Sequence, residues 1–111
     1  MASATYQQLG QARENSTNAV SVYSPGASEE VIIKSVIVAN TSGANATVRI
    51  FLDDNGTTYD ETTALAWDVT IAANSVWDRE VTLCMNDSTG NLAVRTDTAD
   101  ALTFTAFGAV I

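Results

Sequence analysis

The feature that most constrains the fold is a repeated alternation of short β-prone segments with turn-forming clusters. Segments rich in Val, Ile, Thr, Phe and Tyr recur along the chain, and clusters of Gly, Asn, Asp and Ser separate them. β-Branched and aromatic residues favour strands, whereas small polar residues favour turns. No stretch shows the 3.6-residue apolar period of an amphipathic helix. The pattern predicts strands near residues 5–9, 18–23, 30–40, 46–53, 64–71, 75–84, 91–96 and 101–110.

The length and the number of strands together predict the architecture. A chain of 111 residues suits one domain with a modest core. About eight short strands in such a domain predict an all-β fold, either an antiparallel β-sandwich or a jelly roll. We expect residues 26–111 to form this β-sandwich and residues 1–25 to precede it as an N-terminal arm or as edge strands.

The first twenty-five residues are polar and rich in Ser and Asn, with few apolar side chains. Termini of this composition usually fray unless something holds them. We therefore expect the arm to dock on a neighbouring subunit or larger body. The alternative is that the arm supplies an edge strand to its own sheet. The apolar residues expected to anchor a docked arm are Tyr6, Leu9, Val22 and Tyr23.

Alternation along the strands assigns side chains to faces. Residues 64–71 predict an apolar face made of Leu65, Trp67, Val69 and Ile71, and Trp77 is expected in the core with Val81 and Leu83. Residues 30–40 are apolar on both faces, which is typical of a central strand or one covered by another chain. Apolar side chains on otherwise polar faces favour a homo-oligomer, with a trimer expected. These interface candidates are Phe51, Phe107 and Ile111.

The acidic segment FLDDNGTTYDETT, residues 51–63, raises the question of a calcium site. An EF-hand loop needs oxygen ligands at positions 1, 3 and 5, Gly at 6 and Glu at 12. Counted from Asp53, the glycine Gly56 falls one place early and position 12 is Ala64, so the spacing fails. Asn55-Gly56 is instead a strong turn signal. We interpret the segment as a turn and predict no metal ion and no other cofactor. The alternative is a less regular calcium-binding loop formed by Asp53, Asp54, Asn55 and Asp60.

Composition excludes several function classes. The chain has no histidine, which removes Ser-His-Asp, Cys-His and His-ligated metal arrangements, and it has no phosphate-binding glycine motif. Asp68, Asp78 and Glu80 alternate with apolar residues and should face solvent, and Cys84 is expected to be a small half-buried side chain. No enzyme activity is predicted.

Charge and hydropathy also limit the partners. The net charge is −8 and the five basic residues are scattered, which argues against nucleic acid. No apolar run approaches the length of a transmembrane helix, so no membrane partner is expected. The N-terminus lacks a signal-peptide apolar region, and we expect synthesis and folding in a host cytoplasm. The single cysteine excludes an internal disulfide.

Three stretches carry a resemblance to a known family of proteins. They are VIIKSVIVANTSGANATVRIFLDDNGTTYDETTAL, WDVTIAANSVWD and NLAVRTDTADALTFTAFGAVI, and they cover about residues 30–111. Together they resemble the small β-sandwich virion structural proteins of tailed bacteriophages. The resemblance implies a virion location and contacts with the major capsid protein or other virion subunits.

Within that family we expect a capsid decoration (cement) protein that binds and stabilises the phage head. A neck, tail or fibre accessory protein is the second interpretation. The third, from a different class, is a soluble carbohydrate-binding module, which would need an exposed aromatic platform.

Overall fold

Two four-stranded antiparallel sheets pack face to face in the computed structural model, which describes residues 5–111. Sheet A has the strand order β1-β8-β3-β6, and sheet B has the order β2-β7-β4-β5. The eight strands are β1 (Thr5–Arg13), β2 (Val20–Tyr23), β3 (Val31–Asn40), β4 (Ala46–Asp53), β5 (Ala64–Ile71), β6 (Val76–Met85), β7 (Asn91–Thr96) and β8 (Leu102–Val110).

The pairing of the strands identifies the sandwich as a jelly roll. The strands pair β4 with β5, β3 with β6, β2 with β7 and β1 with β8, so the first half of the chain folds back along the second half. A sandwich of eight strands wrapped in this way is the jelly-roll arrangement. The all-β prediction and the predicted number of strands are confirmed.

The core lies between the two sheets and contains apolar side chains from both. Val38 and Phe104 of sheet A and Val48 and Leu92 of sheet B have no exposed area. Trp77, Val81 and Leu83 of the edge strand β6 are half-buried and pack against this core, as their alternation predicts. β-Branched and aromatic residues fill the interior because they fit a pleated surface that is covered on one side.

Residues 5–25 take part in the two sheets rather than extending from them. β1 pairs with β8 and β2 pairs with β7. Leu9, Val22 and Tyr23 are half-buried against the chain's own core, and their contact with another subunit stays a prediction. The edge-strand alternative describes this segment, because β1 and β2 pair with strands of the same chain. Residues 1–4 of the predicted arm lie outside the described residues.

In strand β5 the predicted assignment of side chains to one apolar face is wrong. The register against β4 shifts between Val48 and Ile50, where three steps along β5 oppose two along β4. Asp68 takes a left-handed conformation with φ of 53° at this β-bulge. Because one extra residue reverses the alternation, Val69 and Ile71 pack towards the core, whereas Leu65 and Trp67 are 47% and 38% exposed.

Gly108 of β8 lies where the backbones of β8 and β3 approach each other closely. A Cβ atom at this position would lie 2.0 Å from the carbonyl oxygen of Ile32. The register of β3 against β8 shifts just beyond this contact, between Ile33 and Ser35. A side chain at position 108 would therefore have to push two central strands apart.

We expect Gly108→Ala to destabilise the fold by about 1–3 kcal/mol, the usual cost of overpacking, because backbone atoms cannot yield as a flexible side chain can. Gly43→Ala is the matched control, since nothing lies within 4 Å of a Cβ added there. Urea unfolding of both variants measures the difference. Equal midpoints for the two variants would contradict the close approach of β3 and β8.

Candidate interaction surface

The outer face of sheet A carries an apolar row that crosses all four of its strands. Tyr6 of β1 is opposite Ala109 of β8, Ala109 is opposite Ile32 of β3, and Ile32 is opposite Cys84 of β6. Phe107 lies two residues before Ala109 on the same face, because the alternate residues Phe104 and Ala106 point into the core. We call Tyr6, Ile32, Cys84, Phe107 and Ala109 the apolar row.

The apolar row is accessible over most of its length. Tyr6 is 74% exposed, Cys84 is exposed, and Phe107 and Ile32 are half-buried. Only the small Ala109 is covered by its neighbours. The exposure of Cys84 corrects the predicted half-buried position, and the reason is that β6 is the edge strand of sheet A.

The C-terminal residue extends the apolar row. Ile111 is 51% exposed, and its N–H donates to the carbonyl oxygen of Glu30 at 2.8 Å, which holds it beside the start of β3. Ile32, Cys84 and Ile111 line one shallow surface cavity of about 320 Å³. The structure therefore brings three predicted interface residues, Tyr6, Phe107 and Ile111, to one face of sheet A.

Phe51, a further predicted interface residue, is not exposed. It points to the outer face of sheet B, but its exposed fraction is 0%. The ring of Tyr59 packs edge-on against it at 6.0 Å between centroids, and the ring of Trp67 does so at 6.2 Å. The prediction that Phe51 contacts another subunit is corrected, because the bulge in β5 turns Trp67 outward and over it.

Trp67 does not offer a free aromatic platform. The guanidinium of Arg49 lies 3.7 Å from the centre of its ring, a cation–π contact. Arg49 also donates from Nε and Nη2 to the two carboxylate oxygens of Asp68, at 2.6 and 3.1 Å. The hydrogen bond from Arg49 lowers the pKa of Asp68. Because stacking on a sugar needs an open ring face, this arrangement does not favour the carbohydrate-binding interpretation.

The acidic loop between β4 and β5 uses its polar atoms within the protein. Asp53 is buried, and its two carboxylate oxygens accept hydrogen bonds from the N–H of Asn91 at 2.8 Å and of Thr58 at 3.4 Å. The side-chain oxygen of Asn55 accepts from the N–H of Thr57 at 2.9 Å. Gly56 has a φ of +78°, the left-handed conformation that its turn requires. The loop is thus a hydrogen-bonded connection between two strands.

No group of three or more potential metal-ligating side chains occurs within residues 5–111. We expect Asp53→Ala to cost about 1–3 kcal/mol, since the part-buried N–H of Asn91 would lose its acceptor. Asp54→Ala is the control, because that side chain is exposed, and it should change stability by less than about 0.5 kcal/mol. The melting temperature of the wild type should be the same with calcium and with a chelator. A rise of several degrees with calcium, lost in Asp53→Ala, would overturn this interpretation of the loop.

Glu14 is a buried carboxyl group that belongs to no motif of the sequence. It follows β1, is 4% exposed, and neither of its carboxylate oxygens has a hydrogen-bond partner among residues 5–111. Burial raises its pKa from 4.5 to about 7, and the charge of Arg95 offsets part of that rise. A signal is present in the alternation, because Glu14 follows the small residues Gly10 and Ala12 at the inward positions of β1.

The raised pKa of Glu14 predicts a pH-dependent stability. The folded protein binds a proton that the unfolded chain has lost between pH 4.5 and about 7, so the stability falls as the pH rises through that window. We expect Glu14→Gln, which cannot ionise, to have a free energy of unfolding about 1–3 kcal/mol higher than that of the wild type at pH 8. Urea unfolding of both proteins measures this difference. At pH 4 the two proteins should have similar stabilities. Glu80→Gln, at an exposed position, is the control.

The described residues contain no helix long and apolar enough to cross a bilayer. Asp68, Asp78 and Glu80 are exposed, as predicted. No protein-family model matches the sequence, and no curated protein matches it either.

Several solved structures of viral proteins align with this chain. A chain from the infectious bursal disease virus particle aligns with 99% of this chain at 13% identity and a TM-score of 0.49, over 29% of its own length. A chain of the Gx strain of that virus aligns with 98% at 12% identity and a TM-score of 0.45, over 40% of its length. The tobacco streak virus coat protein, solved as a dimer, aligns with 97% at 8% identity and a TM-score of 0.45, over 86% of its length.

This chain therefore spans less than half of the two infectious bursal disease virus chains. The TM-scores lie below 0.5 and the identities are low, so these likenesses assign neither a family nor a function to it.

Proposed function

We propose that this protein is a non-enzymatic structural component of a virion, a decoration (cement) protein that binds and stabilises the head of a tailed bacteriophage. The observation that carries the proposal is the apolar row on the outer face of sheet A. The sandwich already has its core between the sheets, so a second apolar surface has no partner among residues 5–111. An exposed patch of this kind marks a surface for protein association.

The architecture is compatible with this role without establishing it. Jelly rolls occur in viral capsid domains, and also in lectin domains and cupins, so the fold alone does not select among them. The family resemblance of residues 30–111 favours the virion. The covered ring of Trp67 weighs against a lectin-like platform on sheet B.

The proposed mechanism is binding alone. A row that crosses four strands gives a rigid surface, because each of its side chains is held by a strand paired in the sheet. Placed across the boundary between capsid subunits, this surface would bury apolar area on both sides and oppose expansion of the shell. Burial of a Phe- or Ile-sized side chain contributes roughly 1.5–3 kcal/mol. Several must be buried together, since association costs an estimated 4–15 kcal/mol.

The test measures occupancy of the protein on phage heads that lack it. We expect Phe107→Ser with Ile111→Ser to weaken binding at least tenfold, which corresponds to about 1.4 kcal/mol, because both side chains leave the same surface. Ala44→Ser with Ala72→Ser is the control. Both side chains are exposed in loops outside the apolar row, so this variant should bind like the wild type.

Circular dichroism of each variant checks that the sandwich remains folded. Ile111→Ser alone, at an exposed chain end, supplies a second measurement if the Phe107 substitution disturbs the sheet. The proposal would be overturned by wild-type protein that does not bind the heads, or by unchanged occupancy of the Phe107 and Ile111 variants.

A further inference from the structure

Within the described part of the chain, both sides of the sandwich end in strand edges that pair with no further strand. β1 and β2 are the outermost strands on one side, and β6 and β5 are the outermost strands on the other. An edge strand presents a row of backbone N–H and C=O groups that can pair with another strand. We call these two sides the β1/β2 edge and the β6/β5 edge.

The exposed apolar side chains of the molecule concentrate on these edges. Among residues 5–111, six large apolar side chains are exposed, and five of them belong to the four edge strands. The sixth is the C-terminal Ile111. The five are Tyr6 at 74% and Val20 at 39% on the β1/β2 edge, with Leu65 at 47%, Trp67 at 38% and Val76 at 64% on the β6/β5 edge.

The β6/β5 edge is also open to the core. A groove of about 200 Å³ lies between β5 and β6, and its floor consists of the core side chains Val36 and Ile50. Its walls include Leu65 of β5 and Trp77 of β6. Arg79 also lines the groove, and it forms no ion pair with any of the described residues. The groove is therefore an incompletely covered end of the hydrophobic core.

We propose that the β6/β5 edge is covered by the β1/β2 edge of a second copy of this protein, so that the two sheets continue head to tail from one copy into the next. This inference specifies the self-association expected for the proposed function, but it concerns the free protein and not its binding to a particle.

The directions of the strands permit this arrangement. All pairs in sheet A are antiparallel, so β1 and β3 run one way while β8 and β6 run the other. A β1 strand from a neighbouring copy in the same orientation would therefore lie antiparallel to β6. The same relation holds in sheet B between β5 and a neighbouring β2. β1 has nine residues and β6 has ten, so their lengths match.

Charge favours β1 over a second β6 as the occupant. β6 carries Asp78, Arg79 and Glu80, a formal charge of 1 − 2 = −1. β1 carries Arg13 and no acidic residue, a formal charge of +1. Two β6 strands paired around a two-fold axis would bring the acidic residues of both copies together, which is destabilising. β1 presents glutamine side chains and one arginine instead.

A head-to-tail interface allows oligomers larger than a dimer, whereas a two-fold interface closes at the dimer. Each copy uses two different surfaces, so association continues until a ring closes and cannot stop at a dimer. The wild type should therefore form an oligomer larger than a dimer in sedimentation velocity, against a monomer mass of 11.7 kDa.

The decisive experiment blocks one edge at a time. One variant carries Tyr6→Lys and Val20→Lys on the β1/β2 edge, and the other carries Leu65→Lys and Val76→Lys on the β6/β5 edge. Each variant alone should be a monomer. A mixture of the two should form a 1:1 dimer of about twice the monomer mass, since one intact edge of each kind remains. All four side chains are exposed, so the sandwich itself should be preserved.

Ser88→Lys, at an exposed loop position outside the four edge strands, controls for the added positive charge and should leave the oligomer unchanged. Self-association of either blocked variant, a wild-type dimer that grows no further, or a wild type that stays monomeric would each overturn the head-to-tail arrangement. None of these outcomes would alter the result of the particle-binding test, because that test substitutes Phe107 and Ile111, which lie on neither edge.

Discussion

The pairing of β8 with both β1 and β3 is the interaction on which the rest of the sandwich depends. It joins the two ends of the chain into sheet A and places β8 at the centre of that sheet. The side chains of Phe104 and Ala106 from this strand lie fully buried in the core. Since β1 has no partner until the last strand is in place, closing the sheet depends on contacts between the most distant parts of the sequence. Topologies of this kind fold slowly relative to helical proteins.

The central position of β8 also produces the apolar row. A strand with neighbours on both sides carries β-branched and aromatic residues on both faces, and only one of those faces meets sheet B. Phe107 and Ala109 occupy the other face, and Ile32 lies beside them on β3. The same strand thus provides part of the folding core and part of the surface proposed to bind the phage head. The bulk of that surface is fixed by strands, so it needs little ordering when it binds.

The aromatic residues on the outer face of sheet B are covered by neighbouring side chains. The bulge at Asp68 brings Trp67 over Phe51, and Arg49 closes the cluster through its contact with the indole ring and its ion pair. Apolar side chains that sheet A leaves open are therefore covered in sheet B by neighbouring side chains. The outcome is one accessible apolar face and two apolar edges, and Tyr6 belongs both to that face and to the β1/β2 edge.

Local pattern alone determined the number, the order and nearly the bounds of the strands, because turn-forming clusters and β-prone segments act over a few residues. Alternation was sufficient to predict which side chains of β4 and β8 face the core, because neither strand has an extra residue that interrupts its alternation. Alternation predicted the wrong face for Trp67 in β5, because no neighbouring residue in the sequence indicates the left-handed conformation of Asp68. The position of Glu14 carries a signal in the alternation of β1, but its burial does not follow from composition.

Only the tertiary structure determined which strands pair with each other and which apolar residues remain exposed. The first twenty-five residues are polar enough to suggest an arm, yet β1 and β2 find free edges in both sheets, and backbone hydrogen bonding there does not require an apolar sequence. Phe51 and Phe107 look alike in the sequence, as aromatic residues on polar faces. One is buried and one is half-exposed because a bulged neighbouring strand covers the first, and only the packed sheets determine that difference.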